Sequence, residues 1–406
     1  MGKKRDYDVA IVGGGPVGLM LAACLTHFQP DLGIAVLDRR AFTVPPDARA
    51  SALSAGVQRV LETLGLWSEI APAAAPIRHM RITDSGAGDV SRPLFLSFDG
   101  DVAAGLPYAH MVPNTALIKA LLDRLAGTVD LLGPVAVESF AADRLKGRVT
   151  LAGGDVVSAP LVIAADGAQS GLRRMAGIGT FGHAYGQSGL VTTIAHEIDH
   201  GETAWEHFRP AGPFASLPLP DKRSSLVFTE TTEEAERLKS LPPDALARII
   251  EDAMGSALGQ VEVIDQVQTF PLRLQIAKAF HAPRLALIGD AAHVVHPIAG
   301  QGLNLGLKDV AALTELIIDA IRLGQDHGSA DVLEAYTRWR RFDTALMAMA
   351  TDGLNRLFSN DVPPVRALRD LGIGVVDRLG PVKSALMRHA AAVGGSEPRL
   401  MRGLSL

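Results

Sequence analysis

Apolar positions in this chain fall into short runs that stop at a glycine or an acid. Asp8–Val12 runs into Gly13, Ile34–Leu37 into Asp38, Leu161–Ala165 into Asp166-Gly167, and Leu285–Ile288 into Gly289-Asp290. Short apolar runs bounded by turn signals predict buried strands. After the first and the last of them the period changes. Leu19–His27 reads as a helix. So does the stretch carrying Leu303, Leu307, Val310, Leu313, Ile317 and Ile321, which ends near Gly324. Strand, glycine turn, helix and strand in this order predict an α/β fold with a parallel sheet.

Other periods lie between these runs. Arg49-Ala-Ser-Ala-Leu-Ser54 opens a helical pattern through Val57, Val60, Leu61 and Leu64 that ends at Gly65. Residues 76–100 predict strands with turns, and Asn114 begins a helix through Leu117, Leu121 and Leu125. Val135–Phe140, Arg148–Leu151 and Val156–Val157 alternate like a meander. From Gly189 to Thr231 short runs (Leu190–Ile194, Ala204–Phe208, Phe214–Leu219, Leu226–Thr229) are separated by Gly, Pro and Asp-Lys-Arg turns, which predicts an antiparallel sheet. Glu233–Leu258 reads as helical with a break at Pro242-Pro243, Val261–Leu274 as strand and Glu334–Met349 as helix. The layout is therefore discontinuous. Residues 1–75, 101–182 and 275–345 form a dinucleotide-binding domain. Residues 76–100 and 183–274 form an inserted mixed or antiparallel sheet domain, and 346–406 a helical C-terminal region.

Composition narrows the class. The 406 residues are 48% hydrophobic and 20% charged, ordinary for a globular chain with ample core. A net charge of −5 argues against a nucleic-acid partner. Cys24 is the single cysteine, which excludes a disulfide framework, a Cys-x-x-Cys redox pair and a cysteine metal site. The cytoplasm is the compartment that fits. Lys3-Lys4-Arg5 ahead of Val9–Phe28 imitates a signal peptide or membrane helix, but Gly13-Gly14-Gly15-Pro16 inside that stretch demands a turn. From Asp361 onward seven Lys or Arg face four acids, with apolar residues such as Val365, Leu368 and Leu379 interleaved. That pattern suits either a membrane-surface segment or a helical cap on the body.

Candidate chemistry follows from the turns. Gly13-x-Gly15-x-x-Gly18 follows a strand and opens a helix, and Asp38 ends the next strand, twenty positions after Gly18. This is the dinucleotide fingerprint with its flanks. Asp166 and Asp290 end strands where α/β folds bind ligands, although either alone also suits a helix cap or an Asx turn. Pro297, Gly300 and Gly302 precede a helix start whose unpaired N–H groups suit an anion. Arg49 reads as a surface cation or as a clamp on a phosphate or ring edge. Asn114 is at least an N-cap. His293 and His296 lack a carboxylate at helical spacing, so no metal is expected.

Together these motifs resemble the class A flavoprotein aromatic monooxygenases of the para-hydroxybenzoate hydroxylase fold, and among them the ubiquinone-biosynthesis ring hydroxylases of the UbiH type. The matching motifs are Gly13-x-Gly15-x-x-Gly18 with Asp38, Asp166-Gly167-x-x-Ser170-x-x-Arg173 and Gly289-Asp290-Ala-Ala-His293. The most specific is the run His296-Pro297 to Asp309, through Gly300-Gln301-Gly302-Leu303-Asn304. The resemblance implies a Rossmann-like FAD-binding domain of the glutathione-reductase type. ADP would lie on the first glycine turn with Asp38 and Arg39. Arg49, Asn114, Asp166 and Gly167 would also line the FAD site, Asp166 near the pyrophosphate or the NAD(P)H path. Gly289 and Asp290 would hold the ribityl chain. Pro297, Gly300, Gln301, Gly302, Leu303 and Asn304 would surround the isoalloxazine. Pro297, Gly300 and Gln301 would form the catalytic ring environment, with no acid or base assigned. NAD(P)H would reduce the flavin and O2 would add to it as a C4a-hydroperoxide, which a phenolic ring attacks. The implied substrate is a polyprenylphenol of ubiquinone biosynthesis, in a channel to which Phe208, Phe214, Leu217, Pro218, Leu219 and Phe228 could contribute, or simply form core. A smaller aromatic substrate and a non-enzymatic NAD-sensing or scaffold protein are the competing readings. Residues 361–406 would provide peripheral contact with the inner face of the membrane or with a ubiquinone-biosynthesis complex.

Overall fold

The computed structural model describes residues 3–44, 46–84, 94–103, 105–359, 391–392 and 397–406. Its central sheet has the strand order His281–Ala282, Leu285–Leu287, Leu161–Ala164, Val9–Val12, Ile34–Leu37, Asp130–Leu132. The last five are parallel, and His281–Ala282 is an antiparallel edge. Four of these strands are buried at every position, which is why each reads as a continuous apolar run. Helix Pro16–Phe28 packs against helices Asn114–Leu125 and Gln301–Arg322. The parallel order brings Gly13, Asp38, Asp166 and Gly289-Asp290 to the C-terminal edge of one sheet, the edge at which open α/β sheets bind ligands. Val9–Phe28 resolves into strand, turn and helix, and no described helix is long and apolar enough to cross a membrane.

Two smaller sheets flank this frame. Lys4–Asp6, Val156–Ala159, Gly147–Leu151 and Val137–Ala142 form the meander. Ala50–Ser54, Ala109–Pro113 and Ala75–Ile77 form a three-stranded sheet. The second corrects the sequence reading, in which residues 49–54 open a helix. They are a strand, paired with Ala109–Pro113. The helix starts at Ala55, where the Ser54 hydroxyl accepts from the Val57 N–H at 3.4 Å. A short Ala/Ser segment carries no period of its own, and its tertiary partners decide its state.

The largest sheet runs His293–Val294, Gln268–Ala277, Thr180–His196, Arg223–Thr231, Phe214–Leu219, Thr203–Phe208, His79–Asp84, Leu94–Asp99, with Val261–Val263 paired to Thr180–His196. It is antiparallel except where Thr203–Phe208 meets His79–Asp84. One face packs Phe214, Phe228, Leu190 and Leu226 against Leu238, Leu246 and Ile250 of helices Thr232–Lys239 and Pro243–Met254. Helix Ala330–Phe358 is longer than its sequence period announced. Of the basic tail, 361–390 and 393–396 lie outside the described residues. The described end is docked: Arg399 pairs with Glu315 at 3.0 Å and Asp319 at 2.5 Å, Glu397 pairs with Lys308 at 2.6 Å, and Leu400 and Met401 are buried.

Candidate active site

A cavity of about 1380 Å³ runs from the first glycine turn to the inner face of the large sheet. Pockets for one drug-sized ligand are roughly 300–1,000 Å³, so this one has room for a larger ligand, or two.

The glycines around it fall into two kinds. Gly13 has φ +124°, and a Cβ there would lie 2.1 Å from the Ala165 carbonyl oxygen. A Cβ on Gly18 would lie 2.0 Å from that of Gly13. These two are demanded by the protein's own packing. A Cβ on Gly15 or Gly302 meets nothing within 4 Å. Both stand at helix starts, of Pro16–Phe28 and Gln301–Arg322, and neither helix has a side-chain cap. Uncapped N-termini with open space before them are ready-made anion sites. Gly300, the N-cap of the second helix, has φ +64°. Gly289 (φ +56°) and Gly306 both pack on Val17, which locks the two helix starts together.

The acids and their partners follow. Asp38 accepts from the Gly14 N–H at 2.6 Å and the Arg40 N–H at 2.8 Å. Arg39 lines the cavity beside it. Asp166 accepts through Oδ2 from the N–H groups of Gly171 (2.7 Å) and Leu172 (3.2 Å), while its buried Oδ1 has no partner. Asp166 therefore caps a turn and presents an unsatisfied oxygen, and Gly167 lines the same wall. Asp290 is open to the cavity and otherwise enclosed. Burial raises its pKa, opposed by His293 and Arg49. Arg49 donates to both oxygens of Asp47, at 2.8 and 2.7 Å, and its guanidinium lies 4.9 Å from the Phe270 ring centre.

Two asparagines hold strand Ala50–Ser54. Asn114 accepts from the Ser51 hydroxyl at 2.8 Å and donates to Asp47 at 3.4 Å. It is the first helical residue, and the N-cap is Pro113, so the capping reading is corrected. Asn304 accepts from the Ser54 N–H at 2.9 Å and donates to the Ala52 carbonyl at 2.7 Å. It binds the segment of Pro297, Gly300, Gln301, Gly302 and Leu303 to the strand opposite, and all five of these line the cavity.

Behind the Gly289-Asp290 turn sits a buried charge network. Asp309 accepts from the Gly289 N–H at 2.9 Å, bonds His293 Nε2 at 2.6 Å and accepts from Arg340 Nε at 2.7 Å. Arg340 also donates to Asp343 at 2.6 Å. Burial alone would raise the Asp309 pKa, but His293 and Arg340 hold it below its ordinary value.

The empty approaches to the uncapped helix starts at Gly15 and Gly302 fit an anionic cofactor long enough to reach both. A sequence profile of the FAD binding domain matches residues 6–350. The ubiquinone hydroxylase UbiL of Rhodospirillum rubrum is 43% identical, over 98% of this chain and 93% of its own. The chain belongs to this family of FAD-dependent hydroxylases. The 3-demethoxyubiquinol 3-hydroxylase of Escherichia coli K12 is 35% identical, over 95% of this chain and 98% of its own. The p-nitrophenol 4-monooxygenase PnpA of Pseudomonas putida DLL-E4 shares the fold, with a TM-score of 0.78 at 21% identity over 95% of this chain and 98% of that one.

The hydroxylase closes its cavity with one face of the large sheet. Met80, Ile82, Ala204, Phe208, Ala215 and Leu217 point inward at alternate positions. Of the residues expected in a channel, Phe208 and Leu217 line it. Phe214 and Phe228 belong to the core on the opposite face, where their rings meet at 5.0 Å, and Leu219 packs with Ala52 and Ala204. Pro218 is not in the lining. Strand alternation decides this, and apolarity alone does not reveal which face is which. His296 is buried on Tyr185, ring centres 4.9 Å apart, and burial pushes its pKa down to about 4. Sequence reading missed Asp47, Phe270 and Glu206 of the wall. A signal existed for Glu206: it is the one acid among the inward positions 204, 206 and 208 of an alternating strand.

Proposed function

We propose that the protein hydroxylates the aromatic ring of a polyprenylphenol on the route to ubiquinone, with NAD(P)H as electron donor and O2 as the oxygen source. One observation carries the reading. The uncapped helix start at Gln301–Leu303 opens on the same cavity as the apolar sheet face. A cofactor ring that gains negative charge and an apolar substrate therefore meet in one chamber. In this reading the Gly15 helix start receives the pyrophosphate, Asp38 the ribose of ADP, and Asp290 the ribityl hydroxyls. Pro297 and Gly300–Asn304 frame the ring, whose reduced, anionic form the Gln301 and Gly302 N–H groups stabilise. Bound FAD supplies the reductive activation of O2, and the chain supplies position, charge and dryness. A peripheral contact with the inner membrane face suits such a substrate, and Phe342 and Met349 stand exposed on helix Ala330–Phe358.

The test is direct. The purified protein should be yellow and, with NADPH and O2, convert a prenylated phenol to a product one oxygen atom heavier. A colourless protein that cannot be reconstituted with FAD, or NADPH oxidation indifferent to every prenylphenol, overturns the proposal.

A further inference from the structure

Strand Thr203–Phe208 places a carboxyl in an apolar wall. Ala204, Glu206 and Phe208 share the inward face, and all three line the cavity. In register Glu206 stands between Ile82 and Ala215. No described residue makes a hydrogen bond or ion pair with its side chain. Such a group is costly in an apolar wall unless a ligand completes it.

Its neighbours fix where it stands. Phe208 clusters with Ile298, the residue after Pro297, and with Phe358 and Ile82. Ala204 clusters with Ala52, and Ala52 lies against Gly300, whose added Cβ would sit 3.3 Å from the alanine methyl. The residue two after Glu206 thus packs in one cluster with Ile298 of the Pro297–Gly302 segment, and the residue two before reaches Gly300 of that segment through Ala52. Glu206 faces the chamber between them, where a substrate ring would meet the cofactor ring.

We infer that Glu206 is the catalytic residue that accepts the hydrogen bond, and then the proton, of the substrate's ring hydroxyl. The inference rests on the reaction proposed above. The O–H bond breaks, the proton passes to a carboxylate oxygen, and the electron pair stays on the ring oxygen. From there it enriches the ring carbon that takes the oxygen atom supplied by O2 and the reduced cofactor. The two electrons come from NAD(P)H, the carbon then loses its hydrogen as a proton that leaves with the second oxygen atom of O2 as water, aromaticity returns, and Glu206 hands its proton back to the ring oxygen. Atoms and charge balance, and the carboxylate is regenerated.

Burial supports this role by holding the Glu206 pKa at about 8, closer to a phenol than an ordinary carboxylate and near working pH, where a general base is most effective. Tyr108, Arg49 with its partner Asp47, and Asp290 are titratable groups in the same cavity wall, and Asp84 lies two residues beyond Ile82 on the neighbouring strand, outside the lining and engaged in interactions of its own. Arg81 and His207 alternate to the opposite face.

The experiment uses the FAD-loaded full chain with a short-chain 2-prenylphenol, NADPH and O2. Wild-type kcat should rise with pH through about 8, as the base form appears. Glu206→Gln should keep its flavin absorbance and KM, lose about a hundred-fold in kcat, and show no ionisation near that pH. Glu206→Asp should keep the ionisation at reduced kcat. Glu206→Gln with wild-type kcat and pH profile overturns the assignment and leaves the reaction standing. So does an equal loss in both variants with the profile unmoved, which marks a structural side chain. A wild-type protein that hydroxylates no phenol overturns the reaction, and this inference with it.

Discussion

Two glycines of one motif should fail in different ways. Gly13 is held at φ +124° against the Ala165 carbonyl. Gly13→Ala is expected to destabilise the apo-protein by at least about 1–3 kcal/mol from the backbone conformation alone, read as a lower urea midpoint. Gly15 has φ −80° and ψ 177°, which alanine adopts freely, with nothing before it. Gly15→Ala should leave apo stability within about 0.5 kcal/mol and weaken FAD binding, read by flavin fluorescence titration. Equal effects on stability would refute the distinction. The motif was legible in the sequence, but the division of labour inside it was not, because it depends on which backbone crosses nearby. Asn304 shows the same limit. Its place in the His296–Asp309 run marked it as a cofactor residue, yet both ends of its amide are bound to residues 52 and 54, far away in sequence.

At the scale of elements, the Gly289-Asp290 turn is as firm as the charges behind it. Asp309→Ala leaves Arg340 buried without its main partner, a loss of about 3–5 kcal/mol for a buried pair. Calorimetry should record it together with lost flavin retention. The pH sign follows from Asp309 being held below its ordinary pKa of 3.8. Its stabilisation is complete above that range and disappears as pH falls through the folded value. Wild type should therefore lose stability steeply in acid, and Asp309→Ala less so. The parallel strands were legible because burial on both faces leaves only apolar residues. Strand Ala50–Ser54 was not, since its identity comes from Ala109–Pro113 and Asn304. The sheet strands were recognisable by alternation, but which face lines the cavity was not, so channel and core stayed open for Phe214 and Phe228 until the register put both in the core.

For the whole molecule, the central parallel sheet with its helices and the large antiparallel sheet are tied at several points. Val294 and His293 pair with Gln275 and Ile276. Helix Ala330–Phe358 carries Arg340 to Asp309, then receives the Tyr185 hydroxyl on Asp352 at 3.0 Å, and Asn355 donates to Gln187 at 3.1 Å. Phe358 stacks on Phe208 with ring centres 4.0 Å apart. The apo-protein should unfold in one transition by calorimetry. FAD at a hundred times its Kd should raise stability by about 2.7 kcal/mol, again in one transition. Two separable transitions would show the ties to be weak.

The alternation of the large sheet has a consequence for how such a protein can change over generations. Neighbouring residues on one strand answer to different pressures: Phe214 must fit the helices outside, while Ala215 must fit whatever the cavity holds. Drift at every second position can therefore re-cut the chamber without loosening the sheet or reaching the glycine turns. One frame can in this way host a ubiquinone hydroxylase in one lineage and a p-nitrophenol monooxygenase in another.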